Sequence, residues 1–343
     1  KSTTTALVAL ILTAAGFDPT VIIGTKLREF SAPDDWREVW LSPGRNAGSN
    51  FRKGSSRVLV IEADEWGGSF WNYSPALTVI TNIDKEHLDF YKTERGVRSA
   101  FRKFIMRLRP GGWIVVNADD ISSLKVIQSL IKKHPARFRK NVHFYSLKSP
   151  EAAKIRAAVA LPGRHNASNA MAAAAVAHIL NVPTEIVERV LADFEGAWRR
   201  FEPVGEISGA AVIADYAHHP SEIKSTLAAA RERFSSKKII VVFQPHQYER
   251  TRDLFKDFQT AFDGASKVCL LDIYEVAGRE RKRRDTKVNS FQLTKALARR
   301  GMEAYYLPYP SQLREFLKKE ADADSVIIMM GAGSIWKIGQ EVV

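Results

Sequence analysis

The chain has 343 residues, 45% hydrophobic and 26% charged, and its 51 basic and 38 acidic side chains give a net charge of +13. That length and apolar content suit two domains with substantial cores and exclude a disordered chain. A single cysteine, Cys269, excludes an internal disulfide framework and points to a reducing compartment.

The first fifteen residues, K-S-T-T-T-A-L-V-A-L-I-L-T-A-A, read as a buried helix stopped by Gly16. Their apolar part falls short of the roughly 20 residues that span a bilayer. It also lacks a basic leader, so neither membrane insertion nor a signal peptide is expected, and the expected location is cytoplasmic. Residues 42–57 are rich in Gly, Ser and Arg and read as a loop. Arg57–Glu62, Leu77–Thr81 and Trp113–Asn117 read as buried strands, with a helix over Val97–Leu108. Helices follow over Ser168–Leu180 and Pro183–Phe194. After Trp198-Arg199-Arg200-Phe201 the alternation restarts, with strands at Val212–Ala214, Lys238–Phe243, Val268–Asp272 and Ser325–Met330. Helices at Ser221–Arg233, Arg252–Phe262, Ser290–Arg300 and Ser311–Lys319 separate them. The pattern predicts an α/β protein with mostly parallel sheets and two domains, 1–201 and 202–343.

Basic residues gather at Arg95–Arg109, Lys132–Lys140 and Arg279–Lys287. None of these runs is interleaved with aromatic residues as a base-stacking surface would be, so they read as solvated faces and no nucleic-acid partner is expected.

Several segments carry candidate chemistry. Lys1-Ser2-Thr3 leading into an apolar helix matches the second half of a phosphate-binding loop, G-x-x-x-x-G-K-[ST], or simply a hydroxyl-capped helix. The strand Val58–Ile61 delivers Glu62, Asp64 and Glu65 to its C-terminal end, where ligands collect in open α/β sheets. Carboxylates beside a phosphate loop suit a magnesium–nucleotide site, because the cation needs hard oxygen ligands. The next strand ends in T-N-I-D-K-E-H-L-D, which places His87 near the same end. Asn166 and Asn169 share one helix face and carry the donor and acceptor that an adenine edge requires, although capping also explains one of them. In the second half, Asp215, Tyr216, His218 and His219 lead from a strand into a helix whose first position suits Pro220. His246, Arg250 and Arg252 follow another strand, and the two arginines suit anion binding. Met330-Gly331-Ala332-Gly333-Ser334 reads as a tight turn or a phosphate approach.

These blocks resemble the Mur ligase family. The resemblance rests on E-A-D-E at 62–65, T-N-I-D-K-E-H-L-D at 81–89, L-P-G-R-H-N-A-S-N-A at 161–170 and D-Y-A-H-H-P-S-E-I at 215–223. It continues through F-Q-P-H-Q-Y-E-R-T-R-D-L-F at 243–255 and M-G-A-G-S-I at 330–335, in one order over nearly the whole chain. The 243–255 block is closest to the alanine-adding branch. The resemblance implies a P-loop-type central ATPase domain over 1–201, lacking the glycine half of its loop. It implies a C-terminal Rossmann-like ligase domain over 202–343 and an N-terminal UDP-binding domain that this sequence does not contain.

The implied reaction adds L-alanine to the carboxylate of UDP-N-acetylmuramate, with ATP and Mg²⁺, through an acyl phosphate in peptidoglycan precursor synthesis. By the same resemblance, Lys1, Ser2 and Thr3 hold phosphates, Ser2, Glu62 and His87 ligate metal, and His165, Asn166 and Asn169 contact adenine. Arg200 and Asp215 reach phosphate and ribose. Tyr216, His218, His219, His246, Arg250 and Arg252 bind the acid and amine substrates, with Lys1, Glu62, His87 and His218 as the catalytic set. Gln247 stands where such ligases often carry arginine, and Ala214 where they often carry aspartate. The residues alone also admit a sibling ligase with another amino acid or muropeptide, or a non-catalytic nucleotide- or nucleic-acid-binding fragment.

Overall fold

The computed structural model describes residues 1–30, 48–275 and 288–342, in two units that divide at Trp198/Arg199, just ahead of the boundary expected at residue 201. The basic run 279–287 and residues 42–47 of the expected loop lie outside the described residues. Among the described residues no helix is long and apolar enough to cross a membrane.

The first unit is organised around the helix Ser2–Ala14. Ser2 to Thr4, Ala6 to Ala9, Ile11 and Leu12 are all buried, so the helix has no polar face and must be packed on every side. Gly16 ends it in the left-handed region (φ 81°), and the N–H groups of Gly16 and Phe17 bond back to the carbonyls of Thr13 and Leu12. The helix Arg164–Ile179 lies against it. Its buried alanines, Ala170, Ala172, Ala173, Ala175 and Ala177, let the backbones approach closely around a core with Leu7, Ile11, Val21, Ile23, Leu191 and Phe194.

Strands β1 (Thr20–Leu27), β2 (Ser49–Arg52) and β3 (Leu59–Ile61) form one sheet in the order β2-β1-β3. β1 runs antiparallel to β2 and parallel to β3. Strands β4 (Leu77–Ile80), β5 (Trp113–Asn117) and β6 (Val142–Tyr145) form a second, fully parallel sheet. The helices Glu94–Ile105 and Ile121–Lys133 are capped by Thr93 and Asp120 and bury Phe104, Ile127 and Leu130 in a core with Ile80 and Ile114. The basic residues of Arg95–Arg109 and Lys132–Lys140 lie on exposed or half-buried faces here.

Two expectations for the first unit need correction. Residues 49–52 of the expected loop are strand β2, because pairing with β1 fixes a sequence whose own propensity is weak. The strand expected to be buried over Arg57–Glu62 is only Leu59–Ile61, and its Leu59 is 54% exposed.

The second unit holds β7 (Glu202–Ile207), β8 (Ala210–Asp215), β9 (Lys238–Phe243), β10 (Lys267–Leu270), β11 (Glu303–Tyr306) and β12 (Ser325–Met330). They form one sheet in the order β11-β10-β9-β12-β8-β7. Every pairing is parallel except the β7–β8 hairpin. All of β12 is buried, as an inner strand with both faces covered should be. The chain passes from β8 to β9 across the position of β12, so the sheet has a switch point where the ends of these three strands adjoin. The helix expected over Arg252–Phe262 is instead two short helices, Tyr248–Asp253 and Phe255–Phe258. Buried Leu254 leaves helical geometry between them (φ −107°, ψ 17°).

In the first unit, the rings of His143 of β6 and His178 lie 5.8 Å apart between centres, tilted 51° to each other. Burial, and then the His178 charge, hold the His143 pKa below its ordinary 6.5 against the smaller opposite pull of Glu151. The unfolded imidazole therefore takes up a proton at higher pH than the folded one. Stability from this site is complete above about pH 6.5 and falls as the solution is acidified through that value. Relative to the parent, His143→Gln is expected to show a smaller Tm loss between about pH 7.5 and about pH 5.5. An equal loss in thermal melts of the two proteins contradicts this.

Candidate active site

Lys1 and Ser2 face the segment that leaves β3. Ser2 Oγ donates to Glu62 Oε1 at 3.0 Å, and the Gly24 N–H of β1 donates to Glu62 Oε2 at 2.7 Å. A Cβ on Gly24 would sit 2.9 Å from that oxygen, so the close approach requires glycine. Lys1 Nζ donates to Glu65 Oε2 at 2.5 Å and lies 3.5 Å from Asp64 Oδ1. Glu65 Oε1 is 3.6 Å from His87 Nε2, which is also 3.4 Å from Glu86 Oε2. His87 takes a left-handed backbone (φ 55°) ahead of the turn Leu88–Tyr91, and the Tyr91 hydroxyl donates to the Glu65 carbonyl.

The electrostatics follow from crowding. Burial alone would raise Glu65, but the His87 hydrogen bond and the Lys1 charge bring it down to about 2. Burial also opposes the Lys1 ammonium. Glu65, with Asp64 and Glu62 beyond it, more than offsets that and raises the Lys1 pKa.

Asp64, Glu65 and His87 each offer one donor atom, all within 4.8 Å of one another. Carboxylate oxygens with one imidazole suit a divalent cation, and the Lys1 ammonium beside them shows that positive charge is stabilised there. Of the expected ligands Ser2, Glu62 and His87, only His87 belongs to this group. Ser2 and Glu62 are bonded to each other.

Thr3 is buried in the first helix. Asn169 Oδ1 accepts from Thr4 Oγ1 at 2.9 Å, and Asn166 Nδ2 donates to the Pro162 carbonyl at 2.8 Å. His165 lies half-buried in the same helical turn. Both asparagines thus have structural partners.

In the second unit, the residues expected to act gather at the C-terminal ends of β8 and β9. Asp215 accepts from the backbone N–H groups of Phe201 and Ala217, each at 2.8 Å, and from Thr226 Oγ1 at 3.1 Å. His219 caps the helix Pro220–Arg233, with Pro220 at its first position, and Glu222 completes the capping box. His218 Nδ1 is 3.0 Å from the Tyr216 carbonyl, and its ring centre lies 5.4 Å from Tyr216 and 5.8 Å from His246. Arg250 Nη1 is 3.1 Å from His246 Nδ1, and Tyr274 stacks on His246 at 5.6 Å. Arg252 pairs with Asp253 at 2.9 Å. Arg200 lies over Tyr216, 4.9 Å from the ring centre. Burial would raise Glu222, but the charges of His218 and then Arg200 lower it to about 2.

Sequence reasoning gave no role to Arg199, Glu222 or Tyr274, and named Glu65 only as one of three carboxylates suited to a magnesium–nucleotide site. Arg199 is buried, its pKa brought down to about 10 by desolvation, and Nη2 donates to the carbonyls of Gly331 at 2.6 Å and Gly333 at 3.1 Å. A side chain on Gly333 would collide with Tyr274, so the glycine turn is accounted for by packing. The usable signals were the doubled Arg199-Arg200 and the position of Tyr274 just beyond β10.

Three donors on one buried carboxylate predict that Asp215→Asn turns an amide toward an N–H. The expected loss is about 2 kcal/mol in urea unfolding, against about 1 kcal/mol for Thr226→Val, which removes one donor and keeps the side-chain shape. Equal stability of Asp215→Asn and the parent contradicts this account.

Residues 1–177 match the family described as Mur ligase middle domain, and residues 199–333 match Mur ligase, glutamate ligase domain. A UDP-N-acetylmuramate–L-alanine ligase of Caldanaerobacter subterraneus is 34% identical over 365 aligned positions, covering 99% of this chain and 73% of that protein. A protein of the same description from an Anaeromyxobacter species is 36% identical, covering 100% of this chain and 73% of its own length. The crystal structure of UDP-N-acetylmuramate–alanine ligase from Thermotoga maritima superposes with a TM-score of 0.73 at 24% identity, covering 100% of this chain and 72% of that one.

Proposed function

The chain belongs to the Mur ligase family, and from that premise we propose that it is an ATP-dependent UDP-N-acetylmuramate–L-alanine ligase. The observation that carries this reading is the 34–36% identity to ligases of that description over essentially the whole chain. ATP dependence comes with the family. The cytoplasm, where ATP is supplied and a lone thiol such as Cys269 stays reduced, is the proposed location.

In the proposed reaction the muramyl carboxylate attacks the γ-phosphorus of ATP. The bond to ADP breaks and an acyl phosphate forms. The amine of L-alanine then attacks the acyl carbon, losing a proton, and inorganic phosphate leaves. Both partners of the first step are anionic, so positive charge must lie between them. We assign Lys1 to the phosphates, where the Ser2–Thr4 start of an apolar helix also directs N–H groups outward. Ser2, Glu62 and His87 are the proposed holders of Mg²⁺, which when bound would neutralise phosphate charge.

His218 is the proposed proton acceptor for the amine. Its Nδ1, set against the Tyr216 carbonyl, favours the tautomer in which Nε2 carries the lone pair. Arg250, aligned by His246, is assigned to a substrate carboxylate. Tyr216, His219, His246 and Arg252 are assigned to the substrates, and Thr3, His165, Asn166, Asn169, Arg200 and Asp215 to the nucleotide. The two units are proposed to serve as the ATP-binding and C-terminal ligase domains.

The test is phosphate release from ATP with UDP-N-acetylmuramate, with and without L-alanine. Release that depends on alanine, and more weakly on glycine or serine, is expected. Lys1→Ala and Glu62→Ala are each expected to lower kcat by about 100-fold or more. Near-parental turnover in either variant, or preference for a muropeptide donor, contradicts the assignment.

A further inference from the structure

Glu65 has no direct part in the chemistry above, yet it is among the most confined carboxylates of the first unit. It is 8% exposed and its two oxygens serve different partners. Oε2 accepts from Lys1 Nζ at 2.5 Å, and Oε1 faces His87 Nε2 at 3.6 Å. Its backbone is fixed as well, since its carbonyl accepts from the Tyr91 hydroxyl and from the Gly68 N–H at 3.0 Å. Gly68 is in the left-handed region (φ 74°), and a side chain there would collide with the Trp71 ring, so this turn has little room to shift.

We infer that Glu65 is a positioning residue that holds the Lys1 ammonium and the His87 imidazole in one fixed arrangement for phosphoryl transfer. This rests on the ligase reading and deepens it, because neither the family resemblance nor the expected ligand set gives Glu65 a task. A free lysine side chain has rotamer entropy to lose when it is fixed on a phosphate. A buried carboxylate that already restrains it removes part of that cost before substrate arrives. The same carboxylate is anionic and repels the triphosphate. Replacing it by a neutral isostere should therefore leave nucleotide binding intact or tighter while the transfer step slows. A residue that merely supported the fold, or bound nucleotide directly, would instead weaken binding.

The experiment compares Glu65→Gln and Glu65→Asp with the parent in the full-length protein. It uses steady-state phosphate release, calorimetric titration with ADP, and thermal melts. Glu65→Gln is expected to lose about 100-fold in kcat, with KM for ATP and the Kd for ADP unchanged or lower. Glu65→Asp, which keeps the charge, should recover about tenfold of that loss. A kcat within about threefold of the parent in Glu65→Gln, or a loss carried by weaker ADP binding, overturns the inference. Should Glu65→Gln fail to fold, Glu65→Asp decides: a reduced kcat at constant KM supports the role and a parental kcat overturns it. If the parent shows no alanine-dependent release, the ligase reading fails. Weakened ADP binding in Glu65→Gln then still counts against Glu65 as a positioning residue.

Discussion

Carboxylates crowded against the first turn of a single helix are the constraint on which the rest depends. Taking Glu62 and Glu65 out of water is costly unless each oxygen meets a donor. Ser2 and Gly24 meet that need for Glu62, and Lys1 meets it for one oxygen of Glu65 while His87 Nε2 lies 3.6 Å from the other. The helix from which Lys1 and Ser2 project is itself immobilised, apolar on all sides and clamped by an alanine-rich neighbour. Packing far from the chemistry thus fixes where the charges lie. A triphosphate approaching such acids needs cations between them, which is the electrostatic logic of a metal–nucleotide site.

The second unit solves a different problem. Its sheet places three strand ends side by side, and aromatic rings, histidines and an arginine gather there around a few buried acids. Histidine rings pack edge to face and stack with tyrosines, so His218, His246 and Arg250 support one another's orientation. Beneath them, Asp215 and Arg199 tie strand ends to the following turns through buried hydrogen bonds. Groups that look like ligands by residue type can therefore be scaffolding by geometry.

That difference marks what was legible in the sequence. Parallel-sheet strands with both faces covered, such as β9 and β12, are continuous apolar runs and read directly. So did the all-apolar first helix and its glycine stop. Strand β2 did not, because Ser49 to Arg52 pairs only where β1 supplies an edge, and β1 itself sits in a stretch read as no element. The motif blocks singled out Glu62, His87, His218 and Arg250 as candidates, since a strand end followed by charged residues is a local signal, and Lys1 from K-S-T ahead of an apolar helix. Arg199 and Tyr274 act across many residues, on a glycine turn and a histidine ring, and nothing local announces them. Glu65 was visible as a third carboxylate, but only side-chain direction separates its partners from those of Glu62.

The most direct measurement of the central claim is a crystal structure with a non-hydrolysable ATP analogue and Mg²⁺. The account predicts the β- and γ-phosphates at the start of the first helix, with Lys1 on phosphate oxygens and the cation among Ser2, Glu62 and His87. A nucleotide whose phosphates lie away from Lys1, or a cation held by none of those residues, would contradict it.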